Sequence, residues 1–147
     1  MLQLDATDRR ILTLLEAEGR LPILELAGRV GLSPTPCGRR VKRLEEAGII
    51  RGYGARIDHR ALGFQIGAFI SVRLGRVGPE GTAQFLSAIA RLPEVVECHL
   101  VTGNNIDYML RTRLRDVDAL GHFIRDKLQG IPSVGETSTM VILSQEV

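Results

Sequence analysis

At 147 residues the chain can form one ordinary domain or two small ones, and a composition 44% hydrophobic and 24% charged is that of a globular protein in water. No apolar run approaches the roughly 20 residues that span a bilayer, and MLQLDATDRR lacks a signal-peptide pattern, so a cytoplasmic chain without a membrane partner is expected. The formal charge of +2 is unevenly spread: residues 39–60 hold seven basic and three acidic side chains, a patch that attracts polyanions.

Helical punctuation organises the first sixty residues. In LDATDRRILTLLEAEG, Asp5 is the expected N-cap with Asp8 three residues on, Ile11, Leu12, Leu14 and Leu15 form the apolar face, and Gly19 marks the stop. In PILELAGRVG, Pro22 opens a short second helix, Leu26, Ala27 and Val30 face inward, and Gly31 ends it. Ser33 and Pro34 begin a third helix that Gly48 closes. A turn of about three or four residues between the second and third helices makes a helix-turn-helix. IIRGYGARID then places strand-forming residues around two glycines, and a short β-ribbon or wing is expected, followed by a linker to residue 64.

From Gln65 the apolar period changes to two. QIGAFISVRL directs Ile66, Ala68, Ile70, Val72 and Leu74 to one face of a strand, VGPEG turns, and PEGTAQFLSAIARL is a helix burying Phe85, Leu86, Ile89 and Leu92. VVECHLVT and DYMLRTRL are strands around the turn GNNI. DVDALGHFIRDKLQ is a helix with Val117, Leu120, Ile124 and Leu128 inward, and VGETSTMVILSQ is the last strand. The fold class is therefore α+β: a winged-helix-like helix-turn-helix domain over 1–64 and a ferredoxin-like βαββαβ domain over 65–147. Two helices cover one sheet face. The other carries Phe69, Val101, Met109 and Val141, too apolar for water, and packing these bare faces together gives a homodimer.

The third helix contains the chemistry. At about 100° per residue, Cys37, Val41 and Leu44 share a narrow inward arc while Thr35, Arg39 and Lys42 point the opposite way, with Arg43 beside them and Arg40 on the flank. Glu45 and Glu46 are set at the far end, leaving the N-terminal half free to approach an anion. A duplex major groove admits one such helix, N-terminal residues toward the bases. Arg39 suits guanine, Thr35 and Pro36 suit a thymine methyl, and Arg40, Lys42 and Arg43 suit phosphates.

The stretches LDATDRRIL, ELAGRVGLSPTPCGRRVKRLEEAGIIRGYGARID and ALG resemble the N-terminal half of the leucine-responsive/asparagine-responsive (Lrp/AsnC) regulators, and the resemblance continues through a βαββαβ half similar to their amino-acid-sensing RAM domain. It implies a transcription regulator that binds double-stranded DNA through Ser33, Thr35, Pro36, Arg39, Arg40, Lys42 and Arg43. It also implies dimers assembled into higher oligomers, often octamers, that wrap or bend promoter DNA, and a small-molecule effector, usually an amino acid, held where dimers meet. By the same resemblance the effector site is the loop VTGNNIDYML with hydroxyls of ETSTMV, that is Thr102, Gly103, Asn104, Asn105, Asp107, Thr137, Ser138 and Thr139. Family members usually have two residues between Gly and the Asp-Tyr pair; here there are three, Asn104, Asn105 and Ile106. In that loop Gly103 lets backbone amides approach a carboxylate, and Asp107 suits an α-ammonium.

Other chemistry finds little support. Cys37 and Cys98 are far apart, and His59, His99 and His122 lie on separate elements, so neither a disulfide scaffold nor a metal site is expected. GxSxG and HExxH do not occur, and no enzyme activity or cofactor is expected. Two alternatives remain. One is an architectural DNA-binding protein whose C-terminal half only oligomerises; the other is a module whose basic helix grips an acidic protein.

Overall fold

The computed structural model describes residues 2–75 and 78–144; Val77 of the expected turn and Gln145 of the expected last strand lie outside them. The chain divides into two compact units, 1–57 and 58–147, so residues 58–64 belong with the second. There the His59 ring stands edge-on to Phe64 and meets Arg113 at 2.9 Å, and the Gln65 amide donates to the Arg115 carbonyl.

The first unit holds three helices, α1 (Ala6–Ala17), α2 (Ile23–Val30) and α3 (Pro34–Glu46). Asp5 and Asp8 form the expected reciprocal cap: the Asp8 amide donates to Asp5 at 2.8 Å and the Asp5 amide to Asp8 at 3.2 Å. Gly31 adopts φ 74° between α2 and α3, a left-handed conformation that a Cβ would penalise, and it makes the short turn possible. Ile11, Leu15, Leu26, Ala27, Cys37, Val41 and Leu44 are the buried core. The segment expected as a β-ribbon runs without strand pairing: residues 51–58 are neither strand nor helix. Gly52 and Gly54 bring no side chain to pack, and so short a ribbon has no further strand to support it.

The second unit is the expected βαββαβ. Its strands β1 (Ile66–Leu74), β2 (Val95–Leu100), β3 (Tyr108–Leu114) and β4 (Val134–Ile142) form a sheet in the order β2-β3-β1-β4. All neighbours are antiparallel. Helices α4 (Pro79–Ile89) and α5 (Val117–His122) supply the crossovers, and α5 continues as a π-helical stretch, Phe123–Leu128. Ala68, Ile70, Val72, Phe85, Ile89, Tyr108, Leu110, Leu114, Leu120, Phe123 and Leu128 make up most of the core.

Three expected positions move. Val117, the first residue of α5, is 68% exposed, and Phe123, one α-helical turn after buried Leu120 and at the start of the π stretch, is buried in its stead. Leu86 is exposed, since its neighbour Phe85 fills the space under α4. Val141 pairs with Ala68 and so lies on the helix-covered side at the outer strand, while Met140, opposite Phe69, takes its place on the bare face. A strand's parity is fixed by its register, and one step exchanges the faces.

Replacing Phe85 by alanine should lower the unfolding free energy in urea by about 3–5 kcal/mol, whereas Leu86→Ala should change it by no more than about 0.5 kcal/mol. Similar losses for both would show that α4 is turned differently on the sheet.

Candidate functional site

The outward side of α3 is built as a row. Pro34 occupies the first turn, and Ser33 takes the N-cap position with its side chain making no cap hydrogen bond. Cys37, Val41 and Leu44 are buried, which turns Thr35, Pro36, Arg39 and Lys42 to solvent. Arg39 meets no acid among the described residues, and Lys42 has only a long, exposed pairing with Glu46 at 3.7 Å.

Arg40 and Arg43 are arranged differently from the sequence expectation. Arg40 Nη1 donates to Asp5 Oδ2 at 2.6 Å and Asp8 Oδ1 at 2.8 Å; Arg43 Nη2 donates to Asp8 Oδ2 at 2.6 Å. Both arginines thus brace α1 as well as facing outward, and Arg43 keeps its remaining donors at a side-chain exposure of 45%. The Asp8 amide and the Arg40 guanidinium hold the Asp5 carboxyl below the usual range, and the two acids hold the Arg40 guanidinium above its ordinary value. Beyond α3, the Tyr53 hydroxyl donates to Glu45 at 2.8 Å, anchoring the extended segment to the helix end.

A second concave region lies on the bare face of the sheet. An open cavity of about 400 Å³ is walled by Ser71 and Arg73 of β1, Met109 of β3, Glu136, Thr137, Ser138 and Met140 of β4, and Asn104, Asn105 and Ile106 of the β2–β3 loop. Gly103, Asn104 and Asn105 have φ of 113°, 50° and 55°, so the loop needs residues that tolerate the left-handed region. Arg73 Nη1 and Glu136 Oε2 stand 3.3 Å apart across β1 and β4, a cation and an anion side by side, next to the apolar Ile106, Met109 and Met140.

Four expected site residues, Asn104, Asn105, Thr137 and Ser138, line this cavity, while Thr102, Gly103, Asp107 and Thr139 do not. Asp107 is engaged in the fold: its Oδ2 accepts from the Leu74 amide at 2.8 Å, and its own amide donates to the Val72 carbonyl. Thr139 pairs with Ile70 on the helix-covered side. Sequence reasoning missed Ser71, Arg73, Ile106, Met109, Glu136 and Met140 as pocket residues. Strand parity already put Ser71 and Arg73 on the bare face; the cross-strand register that brings Glu136 and Met140 beside them was the missing piece.

Among the described residues no group of three or more His, Cys, Asp or Glu is placed to hold a metal. Cys98 and His99 face opposite sides of β2, paired with Leu110 and Met109.

The winged helix-turn-helix DNA-binding family model matches residues 4–51, and the Lrp/AsnC ligand binding domain model matches residues 67–147. The chain is 42% identical over 142 residues to the leucine-responsive regulatory protein of Escherichia coli K12, spanning 97% of this chain and 86% of that protein. A crystal structure of a transcriptional regulator from Neisseria meningitidis in complex with L-methionine is similar at TM-score 0.95 and 36% identity, over 99% of this chain and 93% of that one. A feast or famine regulatory protein from M. tuberculosis complexed with L-methionine is similar at TM-score 0.88 and 31% identity, over 99% and 95%.

Burial and the Glu45 carboxylate push the Tyr53 phenol up to about 12. The fold favours the neutral phenol, so this stabilisation is complete below the ordinary value of 10 and is lost as pH rises through about 12. Ultraviolet titration should show a phenol ionising near pH 12 that Tyr53→Phe removes. Loss of a phenol that ionises near the ordinary value of 10 instead would mean that Tyr53 does not meet Glu45.

Proposed function

We propose a mechanism on one premise: this chain belongs to the Lrp/AsnC family of DNA-binding transcription regulators. The observation that carries the DNA-facing part is the exposed, acid-free Arg39 sharing the outward side of α3 with Thr35. This side enters the major groove. Arg39 reads guanine through two parallel donors, Thr35 and Pro36 meet base edges, and Ser33 and Lys42 reach phosphates. Arg43 adds the donors that Asp8 leaves free. Such a regulator works where the chromosome is, in the cytoplasm.

The cavity on the bare face takes an amino acid. A zwitterion has a carboxylate for Arg73 and an ammonium for Glu136, and separating those two side chains lets each exchange one partner for another. Ile106, Met109 and Met140 then line an apolar side chain, with Asn104, Asn105, Thr137 and Ser138 at the rim. The L-methionine held by two similar regulators supports an effector of this class. Phe69 and Met140, exposed beside the cavity, are covered by a second copy, and dimers assemble further, up to octamers. Two α3 helices then meet two half-sites, and DNA bends around the particle. Effector binding shifts the assembly by its differential affinity for the two arrangements and by no more.

Two measurements test this reading. Arg39→Ala should cost about 1–3 kcal/mol on a target duplex and relax the preference at one base pair, while Lys42→Ala weakens all sequences alike; equal losses on every sequence for both would remove the division into base and phosphate contacts. In a thermal-shift series of amino acids, an apolar L-amino acid should raise the melting temperature and Arg73→Ala should abolish the rise. Indifference to every amino acid would instead favour a purely architectural DNA-binding protein.

A further inference from the structure

Arg40 lies on the flank of α3 that meets α1, and one of its nitrogens, Nη1, donates to two carboxylates at once. The two acids differ in kind. Asp8 is 0% exposed, and its other oxygen accepts from both Arg43 and the Asp5 amide, so it is part of the framework. Asp5 has a half-exposed side chain, and beyond the backbone amides of Asp8 and Thr7 its carboxylate meets Arg40 as its one cation among the described residues. A solvent-facing carboxylate on a guanidinium, next to a helix that approaches DNA, presents the same single negative charge and acceptor oxygens as a phosphodiester.

We propose that Asp5 is an autoinhibitory contact: its carboxylate occupies the side of Arg40 that otherwise takes a DNA phosphate, and so lowers sequence-independent affinity. This rests on the reading that the outward side of α3 faces DNA. Asp8 keeps Arg40 oriented when Asp5 yields, so the cation is held ready rather than lost. A weaker sequence-independent grip leaves a larger share of binding to the base contacts of α3 and shortens residence on irrelevant DNA. The contact has the sign opposite to ordinary damage. Removing a stabilising residue weakens binding, whereas removing this one strengthens it.

Asp5→Asn is the appropriate probe, because asparagine caps a helix as well as aspartate does and keeps the bond to the Asp8 amide. Fluorescence anisotropy of the full chain on a duplex of scrambled sequence, across a salt titration, should show several-fold tighter binding at low salt. The log–log salt slope should steepen by about 0.9, the value of one added phosphate contact. In an Arg40→Gln background, which keeps an amide donor for Asp8, Asp5→Asn should have no effect. Unchanged or weaker binding of Asp5→Asn overturns the proposal, and so does a gain that survives in the Arg40→Gln background, which would be general charge removal. If Arg39→Ala leaves binding to every duplex unchanged, the DNA-facing reading of α3 fails first. If Arg39→Ala weakens binding and Asp5→Asn brings no gain, only the autoinhibitory contact is lost.

Discussion

A carboxylate shut off from water must be met by cations or donors, and Asp8 is met by Arg40, Arg43 and the Asp5 amide together. That requirement fixes the rotation of α3 against α1. Apolar contacts alone would leave the helix some freedom to roll, because Ile11, Leu26, Cys37 and Leu44 interlock without a strong directional preference. Two charged bonds on one flank remove that freedom. The side of α3 that carries Thr35 and Arg39 is therefore held in one direction, as the base reading proposed for them requires.

The sheet applies the same separation of roles with a different period. Alternation along β1 sends Ala68, Ile70 and Val72 to the helices and leaves Phe69, Ser71 and Arg73 on the other side. Pairing with β3 and β4 adds Met109, Glu136, Ser138 and Met140 to that second side. The packed core lies on one face and the open cavity on the other. The charged pairs on the bare face, Arg73 with Glu136 and Arg111 with Glu97, also make it less uniformly apolar than a pure packing surface.

Local features were legible in the sequence, and distant partners were not. The Asp5–Asp8 cap, the Gly31 turn and the Pro34 start each lie within a few residues of what they control, so all three helices could be read from their ends. The inward arc of Cys37, Val41 and Leu44 likewise follows from helical period alone. By contrast, the acids that hold Arg40 and Arg43 lie about a quarter of the chain away in sequence, and nothing near α3 announces them. At the start of α5 the chain enters the core only at Leu120 and Phe123, leaving Val117 outside, and the register of β4 exchanged Val141 for Met140. For the same reason the Asn and Gly residues of the loop were visible, while the Arg73–Glu136 pair, assembled from opposite ends of the domain, was not.

The left-handed run Gly103–Asn104–Asn105 lets the β2–β3 loop turn over the cavity while Asp107, just beyond it, stays tied to β1. Met109 and Met140 stand on strands whose other faces carry the core, so a change of size at either reshapes the cavity wall, and Ser71 opposite Met109, before it reaches the packing behind the sheet. Under the effector reading proposed above, a few outward substitutions on one inherited scaffold would change the nutrient that is sensed.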